Sequence, residues 1–141
     1  MADISITAAN VVTVAGVKDS GTAGATITAG QAVYKKASDG KFYLADADAA
    51  SVAGNAEIDN VYGIALNGAS SGQPLSVQIS GTITIGGTIT AAGTIWLSDV
   101  AGGITETWAD LDASDYVTII GHAISASVLK LDINILGIVK P

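Results

Sequence analysis

Apolar and polar residues alternate along this chain in short runs, and Gly, Ser and Asn punctuate them. Ile4-Ser5-Ile6-Thr7 alternates, and Val11-Val12-Thr13-Val14 is rich in β-branched side chains. In Leu75–Ser80 the period of two is complete: Leu75, Val77 and Ile79 point one way, and Ser76, Gln78 and Ser80 the other. The last run places Leu129, Leu131, Ile133 and Ile135 opposite Lys130, Asp132 and Asn134. Such patterns predict strands at 31–37, 41–45, 61–67, 74–79, 94–98, 103–107, 117–125 and 128–139. Ser38-Asp39-Gly40 and Ser70-Ser71-Gly72-Gln73-Pro74 are turn signals. Ala47–Asn55 and Asp110–Asp115 read as loops or single helical turns. The expected fold is all-β, mainly antiparallel, a compact barrel- or sandwich-like body with at most short helical turns.

Residues 1–22 read as an extended N-terminal arm with strand segments, pairing within its own fold or reaching a neighbour. Residues 23–141 form one β-rich domain. At Thr84-Ile85-Gly86-Gly87-Thr88-Ile89, a two-residue hairpin loop would mix polar and apolar residues on each face. A Gly-Gly-Thr loop that pairs Ile85 with Ile89 keeps the faces separate, so that hairpin is expected.

The domain also echoes itself, as pseudo-repeats 23–81 and 82–141. Gly24–Ala29 (GATITA) returns as Gly86–Ala91 (GGTITA), 62 residues on, and Val33-Tyr34 returns as Ile95-Trp96 at the same spacing. Gly63-Ile64-Ala65-Leu66 resembles Gly121-His122-Ala123-Ile124, and Leu75–Ile79 resembles Leu129–Ile133, at spacings of 58 and 54. Gly30 aligns with Gly93 only if Tyr34 and Trp96 slip by one residue, which a bulge would reconcile. Two related β-rich halves explain the order of these matches. Chance self-matching in a chain rich in Thr, Ile, Ala and Gly is the competing explanation.

Composition narrows the function. The chain has 141 residues and a net charge of −7, with 49% hydrophobic and only 13% charged residues. A surface with few charges is easily buried against a partner, because little charge must be desolvated. All six basic residues are lysine, and the overall field repels phosphate, which argues against nucleic-acid binding. There is no cysteine, so disulfides, thiolate catalysis and Cys-based zinc sites are excluded. The N-terminus shows no signal-peptide pattern, and no apolar run approaches a membrane-spanning helix. The expected product is soluble, contacts no membrane and starts in the cytoplasm.

No constellation of catalytic residues stands out. His122, the single histidine, falls inside a predicted strand with no evident nucleophile or second titrating group, so a packed or edge histidine is expected. Asp46 and Asp48, Asp99, and Asp110, Asp112 and Asp115 are the acidic groupings. Asp110–Asp115 lacks the glycine and terminal Glu of an EF-hand and reads as a solvated loop. The glycine pairs are not followed by the Lys-Ser or Lys-Thr of a phosphate loop, and Lys35-Lys36 reads as a solvated face. The expectation is a protein that is not an enzyme, with no catalytic residue, cofactor or metal.

Two stretches carry a family resemblance. Thr26–Tyr34 with Gly40–Ala47, and Val61–Asn67 with Gly72–Gly81, resemble the small capsid cement, or head decoration, proteins of tailed bacteriophages. The likeness covers about residues 24–81 and continues more loosely through Ile119–Ala123. It implies a β-rich virion protein, made in the host cytoplasm and bound to the outer surface of an icosahedral head. It further implies a homotrimer that clamps neighbouring major capsid subunits. On that reading Ile4, Ile6, Val11, Val12 and Val14 of the arm are the expected contacts with capsid or neighbour. The alternative is another phage structural part, a tail or fibre module, or a β-rich surface adhesin.

Overall fold

The computed structural model describes residues 3–90 and 93–141. Ala91, the last residue of the second GGTITA copy, and the first two residues of the expected arm lie outside that set. The described chain is two antiparallel sheets with one short helix. Six strands form sheet A: β1 (Val11–Ala15), β7 (Gly81–Ile85), β11 (Val128–Val139), β10 (Tyr116–Ala123), β8 (Thr94–Leu97) and β9 (Ile104–Thr105), in that spatial order. Sheet B runs β2 (Lys18–Thr22), β6 (Pro74–Gln78), β5 (Gly63–Ala65), β3 (Ala32–Lys35) and β4 (Phe42–Leu44). The helix α1 (Ala49–Gly54) is capped by Asp48, whose Oδ1 accepts from the Ala50 N–H at 2.9 Å. The architecture is an open sandwich, not a closed barrel.

The expected arm is part of this body. β1 pairs with β7, and β2 pairs with β6, so of the two routes open to residues 11–22 the chain takes the intramolecular one. The main core lies between the sheets. Ile83, Ile85, Ile95, Leu97, Ile104, Ile120 and Leu129 of sheet A meet Ala32, Tyr34 and Ile64 of sheet B. Sheet B also buries its other face: Val33, Phe42, Ala65, Leu75 and Val77 pack beneath Ala23, Ile27 and Ala69. Burial on both faces explains why β3 and β5 read as continuous apolar runs rather than alternating ones. Thin layers suit the Ala-, Val- and Ile-rich composition.

The two halves are wired identically. Sheet B reads β2-β6-β5-β3-β4 and sheet A, inside its extra strand β1, reads β7-β11-β10-β8-β9. Register agrees residue by residue. Val33 faces Gly63 as Ile95 faces Gly121, and Tyr34 faces Tyr43 as Trp96 faces Thr105. The turn repeats too: the Lys36 N–H donates to Lys41 as the Ser98 N–H donates to Gly103. Tyr34 therefore corresponds to Trp96. Gly93 corresponds to Gln31, whose carbonyl accepts from Ala65 as that of Gly93 accepts from Ala123. In the last pair of strands the register corrects the sequence alignment. Gln78 faces Ile64 as Lys130 faces His122, so the true spacing is 52 rather than 54. A two-residue slip preserves facing, which is why alternation alone does not detect it.

The expected Ile85–Ile89 hairpin is absent. Both edges of β7 are taken, by β1 (Val11 opposite Ile85) and by β11 (Leu129 opposite Ile83), so no edge remains for residues 88–90. The chain turns away at Gly86, and Ile89 is buried, its N–H bound to Ala126.

Gln78 also departs from its expected solvent face, for it is fully buried. It sits where the chain passes between the sheets twice, at Gly16-Val17 and at Ile79-Ser80. Its Nε2 donates to the carbonyls of Ala15 (3.1 Å), Ser80 (3.1 Å) and Thr82 (2.9 Å). One carboxamide thus serves backbone acceptors from the ends of β1 and β7 and from the crossover that joins β6 to β7. Gln78→Leu would remove these three bonds, leaving the Ser80 carbonyl only its bond from the Val17 N–H, and is expected to cost about 2–3 kcal/mol. Gln78→Glu would aim a carboxylate at the same carbonyls and is expected to cost more at neutral pH, with the deficit shrinking on acidification. Urea unfolding at two pH values measures both.

Gly63 and Gly121 occupy matching places in the two halves and meet the same constraint. A Cβ on Gly63 would lie 2.5 Å from the Gln78 carbonyl oxygen, and one on Gly121 would lie 1.9 Å from that of Lys130. Neighbouring backbone cannot yield as a side chain can, so Gly121→Ala is expected to cost about 2 kcal/mol or more. Gly40→Ala, with nothing within 4 Å but a φ of +70°, is expected to cost only about 1 kcal/mol. Urea midpoints of the two variants test the contrast.

Candidate interaction surface

The five residues expected to form one contact element are split by the fold. Ile4 and Val11 belong to the core between the sheets, and Ile6 packs partly buried against it. Val12 and Val14 face solvent, 56% and 58% exposed. The β1–β7 pairing causes this division, because it turns Val11 inward and alternates Val12 outward.

A larger apolar surface lies at the other end of the chain. β11 runs for 12 residues, but β7 covers only Val128–Leu131. Beyond that point β11 keeps β10 on one side and nothing from β7 on the other. Ile135, Leu136, Ile138 and Val139 are all exposed there. The expected inward row Leu129, Leu131, Ile133, Ile135 holds only for its first two members. Ile133 is half-buried and Ile135 is exposed. Register shifts opposite Tyr116–Thr118 and Ile119–Gly121 insert extra β11 residues and break the alternation. The length of the apolar run was the available signal.

Sheet B manages its outer edge differently. Val17 bonds to Ile79 and Ser80, and Ala23 to Gln73, on either side of β6, which turns the intervening Ser20 N–H outward, and the Asp19 carboxylate accepts that N–H at 2.8 Å. The Asp19 Oδ2 also accepts from the Tyr62 hydroxyl at 2.5 Å. Lys35 extends over the Phe42 and Tyr62 rings at 5.8 and 5.5 Å, a cation–π contact on an exposed face. His122, expected packed or at an edge, is exposed on the interior strand β10 of sheet A between Lys130 and Thr94. Neither neighbour supplies a carboxylate to orient the ring for base catalysis.

Carboxylates gather at the end of the sandwich near α1. Asp99, Asp112 and Asp115 bring one oxygen each within 4.8 Å of one another. Asp115, expected in a solvated loop, is buried, as is Leu111. Its carboxylate accepts from the Asp112 N–H at 2.7 Å and the Ala49 N–H at 3.4 Å, tying the loop to α1. Three converging carboxylates are the kind of oxygen donors that a hard cation such as calcium takes.

Burial, then the charges of Asp115, Asp112 and Asp3, push the Asp99 carboxyl above its ordinary range. Asp46 is also raised, by burial first, against hydrogen bonds from the Asp48 N–H and Ser51, with Asp48 and Asp115 adding. A carboxyl raised in the folded state holds its proton longer than the unfolded chain does. Stability therefore falls as pH rises from the ordinary carboxylate range through the raised value. Asp19 and Asp39 act oppositely. Hydrogen bonds from Tyr62 and Tyr43 lower them, so their contribution is lost as pH falls below the ordinary range. Asp99→Asn is expected to raise the melting temperature at pH ~7 by a few degrees and to leave it unchanged near pH ~3, where the carboxyl is protonated in both states. Thermal melts at the two pH values check this.

No family model matches this chain, and no curated protein matches it significantly.

Proposed function

We propose that this chain is a capsid cement protein, with no enzymatic activity, that binds the outer surface of a tailed-phage head and joins neighbouring major capsid subunits. It works as a homotrimer whose copies bridge adjacent capsomers. The observation that carries the reading is the exposed apolar stretch Ile135–Val139 on the uncovered side of β11. An open strand edge offers backbone hydrogen bonds, and exposed apolar side chains beside it offer area. The resemblance of residues 24–81 to cement proteins supports the same reading, as do the net charge of −7 and the low charge density. An acidic exterior avoids DNA, and a surface of Ser, Thr, Gly and Ala is buried at little desolvation cost. A specific contact needs about 1,200–2,000 Å² in total. The β11 stretch together with Val12 and Val14 is the surface proposed to supply this chain's share.

The test is to add the purified protein to undecorated, expanded heads and count bound copies by mass. Ile138→Asp is expected to lower occupancy at least about tenfold while leaving the melting temperature unchanged, since Ile138 is 58% exposed. Failure of the unaltered protein to bind heads would sink the cement reading, and binding to tails or fibres would replace it with another virion role.

A further inference from the structure

Asn67-Gly68 stands in the turn between β5 and β6 and is the one Asn-Gly pair in the chain. Its carboxamide extends the pairing of those two strands. The Leu66 N–H donates to the Ser76 carbonyl at 2.8 Å, and the Asn67 side chain makes the next bonds. Oδ1 accepts from the Ser76 N–H at 2.7 Å, while Nδ2 donates to the Pro74 carbonyl at 3.2 Å and to the Gly68 carbonyl at 3.0 Å. The same turn carries Ala69 over the outer face of sheet B. There the Ile27 N–H donates to Ala69 at 2.8 Å, and the Ala69 N–H donates to Ile27 at 2.9 Å.

These contacts also prepare a reaction. A backbone nitrogen can attack the side-chain amide that precedes it only if it can approach, and a Cβ on its own residue stands in the way. Gly68 has none. It is exposed, and among the described residues nothing accepts from its N–H. The Nδ2 bond to the Gly68 carbonyl folds the carboxamide over Gly68, toward the nitrogen that would attack. The Ser76 N–H is aimed at Oδ1, the oxygen on which negative charge develops when Cγ becomes tetrahedral.

We propose that Asn67 is a self-modification site, at which the folded chain converts its own carboxamide to a carboxylate. The Gly68 nitrogen forms a bond to Asn67 Cγ, and its proton passes through water to Nδ2. The Cγ–Nδ2 bond then breaks, and ammonia leaves behind a succinimide ring. Water opens the ring on either side. Opening at Cγ gives aspartate in an unaltered backbone, and opening at the main-chain carbonyl gives isoaspartate, with an extra carbon in the backbone. Either product makes the net charge one unit more negative than −7 and removes the donor that serves Pro74 and Gly68. A carboxylate oxygen then faces those carbonyls, so the turn loosens, and with it the Ala69 cover of sheet B. The reaction consumes only water and does not depend on what the chain binds.

The full chain is held at pH ~8, folded or unfolded in urea, and its peptides are followed by mass spectrometry. The peptide that carries Asn67 is expected to gain about 1 Da, as a mixture of aspartate and isoaspartate, at least as fast in the folded chain as in the unfolded one. Gly68→Ala should slow the gain at least about tenfold. That variant keeps the fold, since a Cβ there meets nothing nearer than the Ile27 carbonyl oxygen at 3.8 Å. Asn67→Asp, which carries the product from the start, should melt a few degrees below the unaltered chain. Slower conversion in the folded chain than in the unfolded one would overturn the proposal, because the same bonds would then protect Asn67. Aspartate as the sole product, or an undiminished rate in Gly68→Ala, would also overturn it, since neither passes through the ring. An unchanged melting temperature in Asn67→Asp would overturn the loosening of the turn.

Discussion

The fold depends on the buried carboxamide of Gln78. The chain leaves sheet A for sheet B after β1 and returns after β6, and the two passages lie against each other. Gly16 and Gly81 touch there: a Cβ on Gly16 would sit 2.0 Å from the Ser80 carbonyl oxygen, and one on Gly81 would sit 2.2 Å from that of Ala15. The Gln78 amide nitrogen donates to three carbonyls at this junction at once, one of which, that of Ser80, also accepts from the Val17 N–H. A buried amide is favourable only when its partners are in place. That requirement fixes how β1 and β7 end relative to β6, and so how the two sheets face one another.

Around this junction the chain builds one five-strand pattern twice and then departs from it at the edges. Sheet B is buried on both faces and seals its outer edge with Asp19. Sheet A gains β1 outside β7, and its β11 outgrows its partner. The shared wiring makes a double-layered body, and the departures from it lie at the edges of sheet A. The acidic end contributes differently. Asp99, Asp112 and Asp115 repel one another, a local instability tolerated beside a well-packed core. Sites that trade stability in this way are often the ones that function uses.

Much of the architecture was legible in the sequence because period-two alternation and turn residues are local signals. The strands, the all-β class and the Tyr34–Trp96 equivalence all follow from them. Long-range effects were not legible. Gln78 reads as a polar-face residue because nothing local reveals that a second pair of strand ends lies over it. Residues 85–89 read as a hairpin because the sequence does not show that β1 and β11 already occupy both edges of β7. Ile4 and Val11 read as arm residues, since burial of an N-terminal strand depends on a partner more than 70 positions away. The Asp115 carboxylate reads as solvated because its contact with the Ala49 N–H spans 66 residues.

The Asp19–Ser20 contact on β2 bears on the size of any assembly. A protein whose opposite edges were both open could add copies head to tail without end, and such contacts grow fibres. Here the outward Ser20 donor is already spent on its own neighbour, so sheet B offers a poor landing place for a strand. The sheet A side, where β11 runs past β7, is the more receptive one. A molecule with a single receptive side would terminate what it joins, and the proposed place on a closed shell of fixed size calls for that property.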